Sequence, residues 1–100
     1  MTPEGKVKTK IKLLLDDYHG SVYYYMPVPG GYGRPTLDYL GSANGWFFAI
    51  EAKAPGKSPT ARQQGTIEDI AEAGGRVFKI DGDAALAVFS DWLWEVTRRG

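Results

Sequence analysis

The stretch Trp46-Phe47-Phe48-Ala49-Ile50-Glu51-Ala52-Lys53-Ala54 decides how this chain must fold. Its first part is apolar at both alternating sets of positions, the pattern of a strand buried on both faces at the centre of a sheet. Such a strand needs cover on two sides. One hundred residues can supply it as a single domain, residues 1–100, around one modest core. Glu51 and Lys53 stand two apart, so they project from one face while Ala52 points away. Pro55-Gly56-Lys57-Ser58-Pro59 then breaks the strand and leaves its end open.

Downstream, the spacing predicts a helix over 59–73, with Ser58 as cap and Gly74-Gly75 as stop. Gln63, Ile67, Ile70 and Gly74 share one stripe of it, so Gln63 begins the face that packs on the sheet. A strand over 76–81 follows, then a last helix capped by Asp83 and running to about 97. Leu86, Phe89, Leu93 and Val96 form its inner stripe, on which Trp92 and Trp94 cannot both lie. Upstream, Asn44-Gly45 is a strong turn signal and 36–40 reads as a short strand. The glycine-rich run before it, 29–35, reads as a loop. Residues 22–28 read as a strand with Tyr23 and Tyr25 on one face, opposite Val22, Tyr24 and Met26. The first segment fits two periods: Val7, Thr9, Ile11 and Leu13 alternate, whereas Val7, Ile11, Leu14, Leu15 and Tyr18 have helical spacing. Thr2 as cap and Pro3 behind it favour a helix over 3–18, ended by His19-Gly20. The resulting order is αβββαβα, an α/β fold with a mixed sheet flanked by helices.

Composition narrows the chemistry. With no cysteine and one histidine, His19, thiolate sites and His-cluster metal sites are excluded. Hydrophobic residues make up 43% and charged residues 24%, as in an ordinary globular domain. No apolar run is long enough to cross a bilayer and no signal-peptide pattern is present, which points to no membrane partner and a cytoplasmic setting. Net charge is zero, so nucleic acid could be bound only through a local basic patch. Lys57, Arg62 and Arg34 flank the open strand end and suit phosphate contacts, although each also fits a solvated surface charge.

Asp38 completes a constellation. If 42–45 is the hairpin loop, Gly41 pairs with Trp46 and Asp38 with Ala49. Asp38 then shares the face of Glu51 at a diagonal step of roughly 7–8 Å. Two carboxylates can hold a hard cation such as Mg²⁺, with the Ala52 carbonyl as a third oxygen. A cation and an adjacent lysine are what phosphodiester hydrolysis requires. The alternative is a structural ion pair at a sheet edge, since Glu-x-Lys is a common spacing.

In order, Arg34-Pro35-Thr36-Leu37-Asp38, twelve intervening residues, Glu51-Ala52-Lys53, Ser58-Pro59-Thr60-Ala61-Arg62-Gln63, Ile67 and Ala73-Gly74-Gly75-Arg76-Val77-Phe78 cover nearly the whole chain. This combination resembles the virus-type replication-repair nuclease (VRR-NUC) domain, a branch of the PD-(D/E)XK nuclease superfamily. Leu37 stands where the superfamily motif often has proline. The resemblance implies a restriction-endonuclease-like core using Mg²⁺, with Mn²⁺ as a substitute. It implies Asp38 and Glu51 as metal ligands, Lys53 as catalytic lysine, Gln63 as the glutamine of the following helix, and Glu4 as the early-helix glutamate near the metal. Short free-standing members of this family imply a phage-encoded homodimer that cuts branched DNA, a four-way (Holliday) junction above all. A flap or repair nuclease needing partner domains, and a non-catalytic DNA-binding module on the same fold, are the alternatives.

Overall fold

The computed structural model describes residues 1–28 and 33–98. The elements are α1 (Pro3–Asp17), β1 (Val22–Tyr25), β2 (Tyr39–Ala43), β3 (Trp46–Ala52), α2 (Ala61–Glu72), β4 (Arg76–Ile80) and α3 (Asp83–Thr97). They form a small α/β fold around one sheet of order β1-β2-β3-β4. β1 and β2, and β2 and β3, pair antiparallel; β3 and β4 pair parallel, with α2 as the crossover that a parallel pair requires. None of the described helices is long and apolar enough to cross a membrane.

Strand parity sorts the core into two layers. Phe48, Ile50 and Ala52 of β3 point to one face, where Val7, Ile11 and Leu15 of α1 and Phe89, Trp92 and Leu93 of α3 cover them. Ala49 points to the other, against Ile67 and Ile70 of α2 and Leu37. The helical reading of the first segment therefore holds: Val7, Ile11 and Leu15 are its buried stripe. The Thr2 hydroxyl accepts the Gly5 N–H at 2.9 Å to start the helix. Trp92 is buried and Trp94 is exposed, which divides the two as their spacing demands.

Several boundaries differ from expectation. Asn44 and Gly45 both have positive φ, 49° and 89°, and so form a two-residue turn whose twist suits the flanking strands. Ser42 and Ala43 consequently join the strand, Ala43 pairs with Trp46, and Gly41 pairs with Phe48 rather than with Trp46. The short strand over 36–40 thus moves to Tyr39–Ala43. The strand over 22–28 stops at Tyr25, ahead of Pro27. Its outward face carries Tyr23 and Tyr25, both exposed, while Val22 and Tyr24 pack on the core. The cap of α2 is Thr60, not Ser58, because Thr60 and Gln63 each satisfy the other's backbone N–H and start the helix at Ala61. Asp83 is the first residue of α3 rather than its cap. Its carboxylate instead bonds Lys10 Nζ at 2.8 Å and ties α3 to α1. The glycine-rich run is outside the described residues over 29–32.

Gly41 shows why β2 needs a glycine at its midpoint. A Cβ there would lie 2.4 Å from the Tyr23 carbonyl oxygen and 2.8 Å from Phe48 Cζ, so only a hydrogen lets β1 approach. Tyr39, on the same strand, is buried beside α1, and burial followed by the Asp38 charge pushes its phenol up to about 12. The fold favours the neutral phenol, so this stabilisation is whole below pH 10 and is lost as pH rises through 12. At about 1.4 kcal/mol per unit it amounts to at most ~3 kcal/mol. Tyr39→Phe should flatten the alkaline limb of a urea-midpoint-against-pH curve; an unchanged limb would show that Tyr39 does not ionise there.

Candidate active site

Asp38, Glu51 and Lys53 meet where β3 ends. β2 begins at Tyr39, opposite Ile50, and Asp38 lies in the bend just before it, beside the end of β3. The register is shifted by two residues from the expected one, which set Asp38 opposite Ala49, and the shift carries Asp38 further toward the end of β3. Asp38 Oδ2 accepts the Ala52 N–H at 2.9 Å, which holds the carboxylate across the strand end. The N–H and carbonyl of one strand residue point the same way, so the Ala52 carbonyl also faces the Asp38 side.

Glu51 is 3% exposed, an uncommon place for a carboxylate. Its nearest counter-charge is Lys53 Nζ, 3.7 Å from Oε2. Burial, and then the charge of Asp38, push the Glu51 carboxyl above the usual carboxylate range, with Lys53 pulling the other way. Two like charges thus meet at the strand end, Asp38 partly exposed and Glu51 buried with Lys53 beside it. That is the environment of a cation-binding or proton-handling group rather than of a surface ion pair.

The wider setting includes Lys8 of α1, which the sequence reading did not single out. Lys8 Nζ lies 3.3 Å from Glu4 Oε2 and 3.9 Å from Asp38 Oδ1, linking the first turns of α1 to the sheet. The Glu4–Lys8 spacing of four was a visible signal; its reach to Asp38 was not. Glu4 is therefore near the site but is held by Lys8. Among the described residues no three His, Cys, Asp or Glu side chains gather as a group that could hold a metal ion. The donors that fit a hard divalent cation are Asp38 and Glu51 with the Ala52 carbonyl, oxygen ligands throughout. Burial first and the charge of Asp38 second raise the Glu51 pKa, and such a cation would offset both.

The remaining expected residues divide. Gln63 begins α2 as expected, but its Oε1 accepts the Thr60 N–H at 2.9 Å while Thr60 Oγ1 accepts the Gln63 N–H at 3.2 Å. This reciprocal pair is a capping box, so the side chain serves its own helix here and is not brought to Lys53. Arg62 is exposed on the first turn of α2, and Lys57 lines a concavity of about 240 Å³ that also includes Lys53. Arg34 departs from expectation. It pairs with Asp69 at 3.4 Å and rims a separate groove of about 380 Å³ with Phe47, Ile70 and Gly75. Phe47 and Glu51 are four residues apart on β3, about 13 Å at strand rise, so Arg34 does not flank the carboxylates. The larger groove has little titratable chemistry; the chemistry is at the strand end.

Comparison with protein-family models, with curated proteins and with solved structures found no match for this chain. The functional reading therefore rests on the motif residues and on the geometry they adopt.

Proposed function

We propose that this chain is a metal-dependent, structure-selective DNA endonuclease with a restriction-endonuclease-like core of the VRR-NUC kind. The observation that carries the reading is the convergence of Asp38, Glu51 and Lys53 on one face of the open end of β3, with Glu51 buried. Asp38 and Glu51 would hold Mg²⁺ or Mn²⁺, which when bound neutralises phosphate charge and activates water. The protein's own part is positional. Glu51 orients the Lys53 ammonium, and that ammonium meets the charge that grows on the phosphate oxygens. The Ala52 N–H holds Asp38 against the repulsion of Glu51. Gln63 would contribute only after leaving its capping box, a modest cost at a helix end.

The substrate is branched DNA, foremost a four-way junction, cut by a homodimer to leave 5′-phosphate and 3′-hydroxyl ends. A twofold pair of sites matches the symmetry of a junction, and pairing doubles the local positive potential of a chain with zero net charge. A phage origin and a host-cytoplasm setting belong to the same proposal. The test is a panel of labelled duplex, single strand, flap, splayed arm and four-way junction, incubated in Mg²⁺ and in Mn²⁺, with solution mass measured alongside. Paired symmetric cuts in the junction by a dimer are expected. Junction binding with no cutting in either metal would refute the enzyme reading, and a monomer that cuts only flaps would refute the resolvase one.

A further inference from the structure

Beside the carboxylates, across the β3–β4 pair, lies a second cluster of charge. Lys79 is the register partner of Glu51, one strand away, at the roughly 4.8 Å spacing of paired strands. Its neighbours Phe78 and Ile80 point into the α1–α3 core, so parity turns Lys79 to the face of Glu51 and Lys53. The turn after β3 brings a third lysine to the same place. The Lys57 N–H donates to the Ala54 carbonyl at 3.0 Å, and Gly56 takes φ 79° to close that turn. Lys53, Lys57 and Lys79 together line the concavity of about 240 Å³, with Asp81 as its carboxylate.

Two features decide what this concavity suits. Among the described residues, none of the ion pairs within 4.0 Å includes Lys57 or Lys79, and that of Lys53 is to Glu51. Three lysines therefore line a shared hollow with one carboxylate, Asp81, among them, in a protein whose charges balance overall. The lining carries no aromatic ring on which a base could stack, so the recognisable group is a phosphate rather than a nucleoside. At ~30 Å³ per water the volume corresponds to about eight waters, enough for a phosphate with part of its hydration shell.

We propose that Lys53, Lys57 and Lys79 form a phosphate-binding pocket that holds the backbone phosphate adjoining the one presented to Asp38 and Glu51. The proposal rests on the nuclease reading for the identity of the polymer, and on the pocket alone for the phosphate. Lys53 belongs to both places, with Glu51 on one side and the hollow on the other. Lys79 is the new element; nothing in its sequence context distinguishes it from a solvated strand lysine.

The experiment measures binding without turnover. Fluorescence anisotropy of a labelled four-way junction in EDTA, at several salt concentrations, compares wild type with Lys79→Ala, Lys57→Ala and Arg98→Ala. Arg98 follows α3, at the hairpin end of the sheet, where Asn44 bonds the Val96 carbonyl. Lys79→Ala and Lys57→Ala should each weaken affinity about 5- to 10-fold at low salt and lower the slope of log K against log salt by about one, as for a lost phosphate contact. Arg98→Ala should match wild type. In a parallel arm, inorganic phosphate is titrated into ¹⁵N-labelled protein. Shifts centred on Lys57, Lys79 and Asp81 that unlabelled junction displaces support the pocket. Unchanged affinity and slope in both lysine variants overturn it, and phosphate shifts that DNA fails to displace overturn the backbone assignment in favour of a free anion. Because no cleavage is read, an inactive protein that still loses affinity on Lys79→Ala refutes the nuclease and keeps the pocket; an active nuclease indifferent to Lys79 does the reverse.

Discussion

Glu51→Gln should abolish metal-dependent cleavage and, in the same molecule, make the metal-free protein more stable. The two signs come from one cause. Glu51 is buried and faces Asp38, and its carboxyl is pushed up by burial first and by that neighbour second. Lys53 at 3.7 Å offsets part of this, yet the balance, lysine included, still favours the neutral form. Glutamine keeps the shape and removes the charge that the folded state disfavours, so stability at pH 7 should rise. The pH dependence has a definite direction. Since the folded carboxyl titrates above its ordinary value of 4.5, the contribution of Glu51 to stability is greatest below that value and declines as pH rises through the raised one. Glu51→Gln should lack that decline. Activity moves oppositely, because a metal site that loses one of two carboxylates gives up several kcal/mol of transition-state stabilisation, about 10³-fold or more in rate. Thermal melts with and without Mg²⁺ complete the comparison: the ion should raise the wild-type midpoint and leave that of the variant in place. A variant that melts lower than wild type without metal, or that cuts at the wild-type rate, would show that Glu51 is a structural ion-pair partner.

Phe89→Ala should cost about 3–5 kcal/mol, a large share of the ~5–15 kcal/mol available to a domain of this size. Phe89 is fully buried, with ring centroids of Phe78 at 4.8 Å, Phe48 at 5.5 Å and Trp92 at 6.2 Å. Truncation leaves a void bounded by three rigid rings, which cannot collapse to fill it. The melting midpoint should fall by about 20 °C, at roughly 5 °C per kcal/mol. Phe48 is three residues from Glu51 on β3, so the same cluster holds the strand that presents the site. Trp94→Ala, on the exposed side of the same helix, should change stability by no more than ~0.5 kcal/mol. Equal losses in the two variants would mean that α3 is seated on another face.

The contrast between Phe89 and Trp94 illustrates what could be read without coordinates. Helical spacing placed Phe89 and Leu93 inward and required Trp92 and Trp94 to separate, and they do. The β3 segment declared itself as central by carrying apolar residues on both faces, and the helices on either side of the sheet follow from that. Turn chemistry was harder. Asn44-Gly45 marked the hairpin, and its preference for a two-residue turn with both φ positive leaves Ser42 and Ala43 to join β2 and pair with β1. The start of α2, expected at a Ser58 cap, is set instead by the box that Thr60 and Gln63 close.

The chain by itself determined that Glu51 and Lys53 share a face, because alternation is set by the covalent geometry of an extended backbone. Asp38 joined that face only on an assumed hairpin register, which a slip of one residue would have reversed. Tertiary structure alone decided that Asp38 takes the Ala52 N–H at the end of β3, that Lys8 crosses from α1 to join it, that Lys79 stands one strand away, and that Arg34 turns aside to Asp69. Each of these is a meeting of residues distant in sequence. Their distances depend on which turn closes and how the helices seat on the sheet, terms that no local spacing contains.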